Sequence, residues 1–206
     1  MSARGRQTRE ERSAEQVVAL AHEVGNVLAA VRISAHLLPG GSAREREAGA
    51  AEIERWVAHA GELLALGRPI VGASRGGRSR VSVAEVLEGV ARVMLQPGEL
   101  PGPFEVASAP RGAPGLRVDL DALHHVLRVL VRTLFSEQPG SEVSLRAARR
   151  GDRVEFVIES SGPDPGRREA LAIQIADAAV RPDRGRVTQD SSRRGTRYRV
   201  SLPAAK

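Results

Sequence analysis

At 206 residues and 41% hydrophobic composition, the chain can bury one good core or two small ones and is too short for a large catalytic barrel. It has no cysteine, which excludes disulfides, thiolate nucleophiles and Cys-based metal sites, and the charged start MSARGRQTREERSAEQ has no apolar leader; with no run of about 18 apolar residues, neither a membrane span nor export is expected, and the location expected is cytoplasmic. A net charge of +6 invites phosphate-backbone binding, but 25 acidic residues interleave with 31 basic ones, all but Lys206 arginine, and only 2% are aromatic, so no nucleic-acid partner is expected.

Residues 1–12 are expected to be a flexible N-terminus. Thr8 with Glu11 and Ser13 with Gln16 both read as capping boxes, in which a hydroxyl and a Glu or Gln three residues later satisfy open amides, so a helix starts near one of them. Val17, Ala21, Val24, Leu28, Val31, Ala35 and Leu38 then recur at alternating steps of 4 and 3, the seam of a coiled coil or four-helix bundle. Pro39-Gly40-Gly41 stops the helix. Ser42 and Glu45 form another box, and Ala50, Ile53, Val57, Ala60 and Leu64 repeat the spacing on a second helix, with Trp56 and Leu63 widening the stripe. A hairpin over 13–67 cannot bury two apolar stripes alone. Pairing with a second copy into a four-helix bundle, a homodimer, is the expected solution.

Residues 68–80, rich in Gly, Ser and Arg, read as a linker, and a second domain spans 81–206. Ser82 with Glu85 caps a helix carrying Val86, Leu87, Val90, Val93 and Met94. Residues 104–107 are a short strand, and Asp119 caps a helix with Leu120, Leu123, Leu127, Leu130 and Leu134 at helical spacing. EVSLRAARRGDRVEFVIES alternates apolar and polar residues about an Arg-Gly-Asp turn, a hairpin of strands. A helix over 167–180 and the strands GRVTQD and GTRYRVSLP follow. The predicted fold is α+β, a mixed sheet covered by helices on one face.

With these elements in place, LAHEVGNVLAAVRISAHLL resembles the phospho-acceptor helix of bacterial sensor histidine kinases: His-Glu, two residues, Asn, Leu-Ala, and a Leu-Leu ending before the hairpin loop. The second domain resembles that family's ATPase-like (GHKL) α/β sandwich. DLDALHHVLRVLVRTLFSE stands where the Asn-bearing helix stands, VEFVIESSGPDPG matches the strand and Asp-containing glycine loop, and LAIQIADAAVRPDRGRVTQDSSRRGTRYRVSLP matches the closing helix and hairpin. The similarity spans about residues 16–203.

The nucleotide chemistry that the family carries is missing from these motifs. The register places Thr133 where the family's Mg²⁺-holding Asn stands, with Val129 at the other position where Asn is usual, and Ser160 aligns with the adenine-reading Asp. RREALAI replaces the second glycine-rich motif, and only eight residues separate Gly162 from Leu171, too few for the family's lid. A phosphate cradle needs glycines for close backbone approach and a carboxylate or amide for the metal, so ATP binding is not expected. The combination resembles dimeric histidine phosphotransferases, with no sensor domain, that relay phosphoryl groups between response-regulator receivers.

The resemblance makes His22 the phospho-acceptor, with Glu23 and Asn26 holding and orienting its ring. An acceptor imidazole needs one exposed neutral nitrogen and a partner for the other. His22 follows the seam residue Ala21 and so points outward, and Asn26 lies one turn on. The partner surface is expected around Val18, Gly25, Ala29 and Arg32. Receiver domains, and a hybrid histidine kinase as a donor, are the implied partners. No cofactor is expected in this chain, Mg²⁺ belonging to the receiver. Two other functions fit the same residues: a catalytically silent scaffold or inhibitor of a kinase or regulator, and a kinase with a divergent ATP site. The remaining histidines carry no such context. His36 and His59 are expected at the surface, while His124 and His125, adjacent on a helix, cannot face one metal. Trp56 reads as a hydrophobic anchor, and Arg9, Arg12 and Arg32 as solvated charge.

Overall fold

The computed structural model describes residues 3–70, 77–137, 140–161, 171–192 and 195–205. Two long helices come first, α1 (Ala3–Leu37) and α2 (Ala43–Ile70), joined by a 3₁₀ turn at Leu38–Gly40. The expected flexible stretch is helical from Ala3 onward, and α1 runs through both candidate boxes at Thr8 and Ser13 rather than starting at either. The Ser42 box does form. Glu45 N–H donates to Ser42 Oγ at 3.3 Å and Ser42 N–H donates to Glu45 Oε2 at 2.7 Å, which satisfies amides left open at the start of α2.

α1 and α2 pack along each other as a hairpin, and Ser34 Oγ donates to Glu52 Oε2 at 3.2 Å across it. That bond marks the level of one helix against the other. The predicted seam divides into two. Val24, Val31 and Leu38 lie in the half-buried stripe with Leu20 and Val27, whereas Ala21 and Ala35 are exposed and Leu28 is 57% exposed. On α2 Ala60 and Leu63 are buried, while Val57 is 56% exposed and Leu64 is also open. The physical reason is that each helix meets both its hairpin partner and the second domain on one side: α2 packs on α4 and α5, and α1 packs on α5.

The expected linker is helical up to Ile70 and ends in β1 (Ser79–Val81), with 71–76 outside the described residues. α3 (Val83–Met94) opens on the predicted Ser82–Glu85 box. β2 (Phe104–Val106), β3 (Leu116–Val118), α4 (Leu120–Glu137), β4 (Val143–Arg150) and β5 (Arg153–Ser160) come next. α5 (Leu171–Val180), β6 (Arg186–Ser192) and β7 (Gly195–Pro203) close the chain. The main sheet runs β2-β4-β5-β7-β6, with β2 parallel to β4 and the other pairs antiparallel. Gly151 takes the left-handed backbone (φ 62°) at the β4–β5 turn, a conformation that glycine adopts without a Cβ penalty. The pair β1–β3, three residues each and unexpected from the sequence, forms a separate antiparallel ladder.

One face of the sheet buries Leu145, Phe156, Ile158, Tyr198 and Val200 against Val86, Val90, Leu127, Leu130 and Ile175 of α3, α4 and α5. The other face presents Arg146, Glu159, Arg197 and Arg199. This is the alternation expected of an antiparallel sheet covered on one side. The architecture is therefore an α+β sandwich with a mixed sheet. Among the described residues no helix is long and apolar enough to cross a membrane.

Candidate functional site

His22 lies in the middle of α1, and its side chain is exposed. Leu20, Val24 and Val27 form the buried side of this helix, and at 3.6 residues per turn a residue two places from both Leu20 and Val24 falls on the far side. Asn26 is exposed one turn further on. Val18, Gly25, Ala29 and Arg32 are exposed as well, and Ile33 and His36 extend the same open face toward the hairpin loop. One continuous helical surface therefore brings together His22, Asn26 and the four residues expected to meet a partner. The side chain of Glu23 lies outside the described residues, as do those of Arg9 and Arg12.

Gly25 carries a signal that spacing alone did not supply. A Cβ built there meets nothing within 4 Å, and the same is true of Gly61 on α2. A glycine inside a helix costs about 0.5–1 kcal/mol relative to alanine, and no neighbour in the protomer requires one at Gly25. The residue leaves a bare patch of backbone beside His22.

At the positions aligned with nucleotide ligands the side chains are buried. Val129 is fully buried, and Thr133, also buried, donates its Oγ1–H to the Val129 carbonyl at 2.9 Å within α4. Ser160 is buried at the end of β5, where its Oγ accepts from Thr196 N–H at 3.3 Å and donates to the Thr196 carbonyl at 3.4 Å. Both hydroxyls serve the backbone of the fold. The segment after Gly162, where the family carries its lid, lies outside the described residues. A basin of about 680 Å³ opens on the other face of the sheet, lined by Glu105, Ser144, Glu159, Asp190 and Arg197 among others. Its Glu159 carboxyl is opposed by burial, yet the guanidinium groups of Arg146 and Arg197 outweigh this and hold it below the usual carboxylate range.

The other histidines divide differently from expectation. His36 is exposed. His59, expected at the surface, is only 4% exposed, because the second domain covers this side of α2; its ring stands 6.2 Å from that of Trp56, centroid to centroid. Trp56 packs against the core as an anchor. His124 is half-buried on Gly89, where a Cβ would stand 2.3 Å from its ring atoms. His125 Nδ1 lies 2.9 Å from Arg128 Nη2. Among the described residues no three His, Asp or Glu side chains gather as a metal site.

No family model and no curated protein sequence matches the chain. Solved structures do. The histidine kinase AdeS of Acinetobacter baumannii superposes with a TM-score of 0.58 at 12% identity, over 90% of this chain and 98% of its own. Histidine kinase ThkA, in its complex with the response regulator protein TrrA, gives 0.61 at 14% identity over 97% of this chain and 65% of its own. The catalytic domain of ThkA alone gives 0.51 at 14% identity over 62% and 96%. Likeness at such identities is one of architecture, and the architecture of this chain is a histidine-kinase-like fold.

Proposed function

We propose that this chain is a histidine phosphotransferase of a two-component phosphorelay, a cytoplasmic homodimer that passes a phosphoryl group between receiver aspartates and His22 without ATP-dependent autophosphorylation. One observation carries the reading. His22 and Asn26 lie exposed on a face of α1 turned away from the rest of the protomer, beside the uncovered backbone of Gly25. The hydroxyls of Thr133 and Ser160 support the second half of the reading, since backbone bonding leaves them unsuited to metal or adenine.

In the transfer, a ring nitrogen of neutral His22 attacks the phosphorus of the receiver's aspartyl phosphate. An N–P bond forms as the O–P bond breaks in line, and the aspartate leaves as a carboxylate. The proton on the other ring nitrogen stays in place, and the Glu23 carboxylate stabilises the resulting imidazolium while Asn26 orients the ring. The reverse sequence delivers the group to a second receiver. Mg²⁺ belongs to the receiver's acidic pocket, so this chain supplies no metal ligand. The ThkA complex with a response regulator, on a related fold, supports a receiver as partner. A hybrid histidine kinase is the corresponding donor.

The test is to mix the purified protein with a receiver carrying labelled aspartyl phosphate. Acid-labile, alkali-stable label is expected on the wild type and none on His22→Ala, which stays folded because the side chain is exposed. Asn26→Ala is expected to slow transfer by about 10²- to 10⁴-fold without abolishing it. Incubation with Mg²⁺ and ATP alone is expected to leave the protein unlabelled, and calorimetry to register no ATP binding. Label from ATP alone identifies a divergent kinase instead. If wild type binds the receiver but takes up no label, the chain is a silent scaffold.

A further inference from the structure

Gly61 of α2 shares the situation of Gly25: exposed, inside a helix, and with nothing within 4 Å of where a Cβ would stand. Glycine in a helix interior is unfavourable, and the packing of the protomer requires it at neither place. The two positions also correspond. Gly25 stands nine residues before Ser34 and Gly61 nine after Glu52, the two residues bonded across the hairpin, so in antiparallel helices the glycines lie at the same height. Leu38, whose Cδ2 is 2.6 Å from where a Gly49 Cβ would be, gives the same alignment to within one residue. Each glycine comes four residues after one exposed seam residue and three before the next, Ala21 and Leu28 on α1, Val57 and Leu64 on α2. Arg32 and Glu54 repeat both relations, level with each other and set between Leu28 and Ala35 on α1 and between Ala50 and Val57 on α2. Both are exposed, and neither has an ion pair among the described residues.

On each helix the buried stripe, with Val24 and Val31 on α1 and Trp56 and Ala60 on α2, lies to one side of the exposed seam and these residues to the other. α1 and α2 of one protomer pack through the buried stripes, so His22, Gly25 and Arg32 face away from their own α2. In the proposed homodimer the matching layers of two copies meet at equal height when the two-fold axis runs along the bundle. Each α1 then has its own α2 on one side and the partner's α2 on the other. Gly25 comes opposite Gly61 of the partner subunit, and Arg32 opposite Glu54 of the partner subunit, a pairing of opposite charges that favours this register. We propose that the receiver docks at each His22 in the groove between α1 of one protomer and α2 of its partner, where Gly25 and the partner subunit's Gly61 leave bare backbone on both walls within one turn of His22. A single chain holds only half of this site. The composite site rests on the homodimer and phosphotransfer reading and adds to it a residue supplied by the second copy.

Two mixed dimers, isolated through a different affinity tag on each protomer and each holding one acceptor histidine, decide which chain supplies Gly61. In the first, the acceptor protomer is wild type and its partner carries His22→Ala and Gly61→Gln. In the second, the acceptor protomer carries Gly61→Gln and its partner His22→Ala. Glutamine favours the helix and projects over the groove, and circular dichroism and light scattering are expected to show the fold and dimer mass of the wild type. With a receiver carrying labelled aspartyl phosphate, uptake in the first dimer is expected to be slower by about tenfold or more. In the second it is expected to equal that of a dimer whose only change is one His22→Ala. Gly61→Ala in the same two arrangements is expected to give the same order with a smaller effect. The reverse order places Gly61 on the acceptor's own chain, while equal slowing in both dimers, or slowing in neither, removes it from the site; each overturns the proposal. Loss of the dimer with both substitutions puts Gly61 in the seam and overturns it as well. A wild-type dimer that takes up no label fails the phosphotransfer reading and the composite site together, whereas labelled wild type with any of these contrary patterns fails the composite site alone.

Discussion

His22 and Gly25 occupy neighbouring places on the open face of α1, and their physical situations differ in a way that experiment can separate. His22 is an exposed side chain whose removal leaves the protomer's packing untouched. Gly25 is an absence of side chain in a helix interior, with empty space where a Cβ would sit. Gly25→Ala is therefore expected to stabilise the isolated protein by about 0.5–1 kcal/mol, read as a higher Tm, while slowing phosphoryl uptake from a receiver that approaches the bare backbone. Faster or unchanged uptake would leave the glycine without a docking role. At the positions aligned with nucleotide ligands, Thr133→Asn by itself is not expected to create ATP binding, because position 133 is buried and faces its own helix.

At the scale of elements, the contact of α3 with α4 carries a pH dependence. The His124 ring rests on Gly89 of α3. Burial first, and the nearby Arg128 second, hold its pKa below the ordinary 6.5, against weaker opposing effects of the Glu85 and Val86 backbone and of Asp121. The folded protein thus disfavours the charged ring, and the unfolded chain takes up the proton first as pH falls. The stability linked to a neutral His124 is complete above pH 6.5 and is lost as pH falls from there toward the depressed folded value. Thermal melts from about pH 7.5 to about pH 5.5 are expected to show a falling Tm, flattened in His124→Gln. Glu159, whose pKa is also depressed, acts in a lower window, its contribution lost only as pH falls below the ordinary carboxylate value. The two therefore separate on one pH series.

For the molecule as a whole, the proposed homodimer rests on the exposed half of the hairpin seam. Leu28 and Val57 are each more than half exposed, and the level marked by the Ser34–Glu52 bond places them at nearly the same height. Ala21 with Leu64 and Ala35 with Ala50 make matching layers above and below, all exposed. In the proposed homodimer, a second copy laid on this face would complete a four-helix bundle. Leu28→Glu is expected to keep the protomer folded, since the site is open in it, and to disrupt the dimer by burying an unpaired charge at a cost of several kcal/mol. Light scattering at tens of micromolar reads the mass. A monomeric wild type at that concentration contradicts the dimer.

Local chemistry was enough to determine from sequence the hairpin stop at Pro39, the boxes at Ser42 and Ser82, the β4–β5 turn at Gly151, and the outward placement of His22. Each depends on residues within a few positions of one another, where propensity and hydrogen bonding act without the rest of the chain. Tertiary structure alone decided which half of the 17-to-38 seam is covered, because a 3–4 spacing names an apolar stripe without naming what lies on it. It also buried His59, whose sequence neighbours give no sign of the domain that closes over it. It paired β1 with β3, strands too short to show alternation and joined only by contacts far apart in sequence. And it produced a cavity at Trp56 and Arg132, which exists only where α2 meets α4, two surfaces whose fit no local pattern encodes.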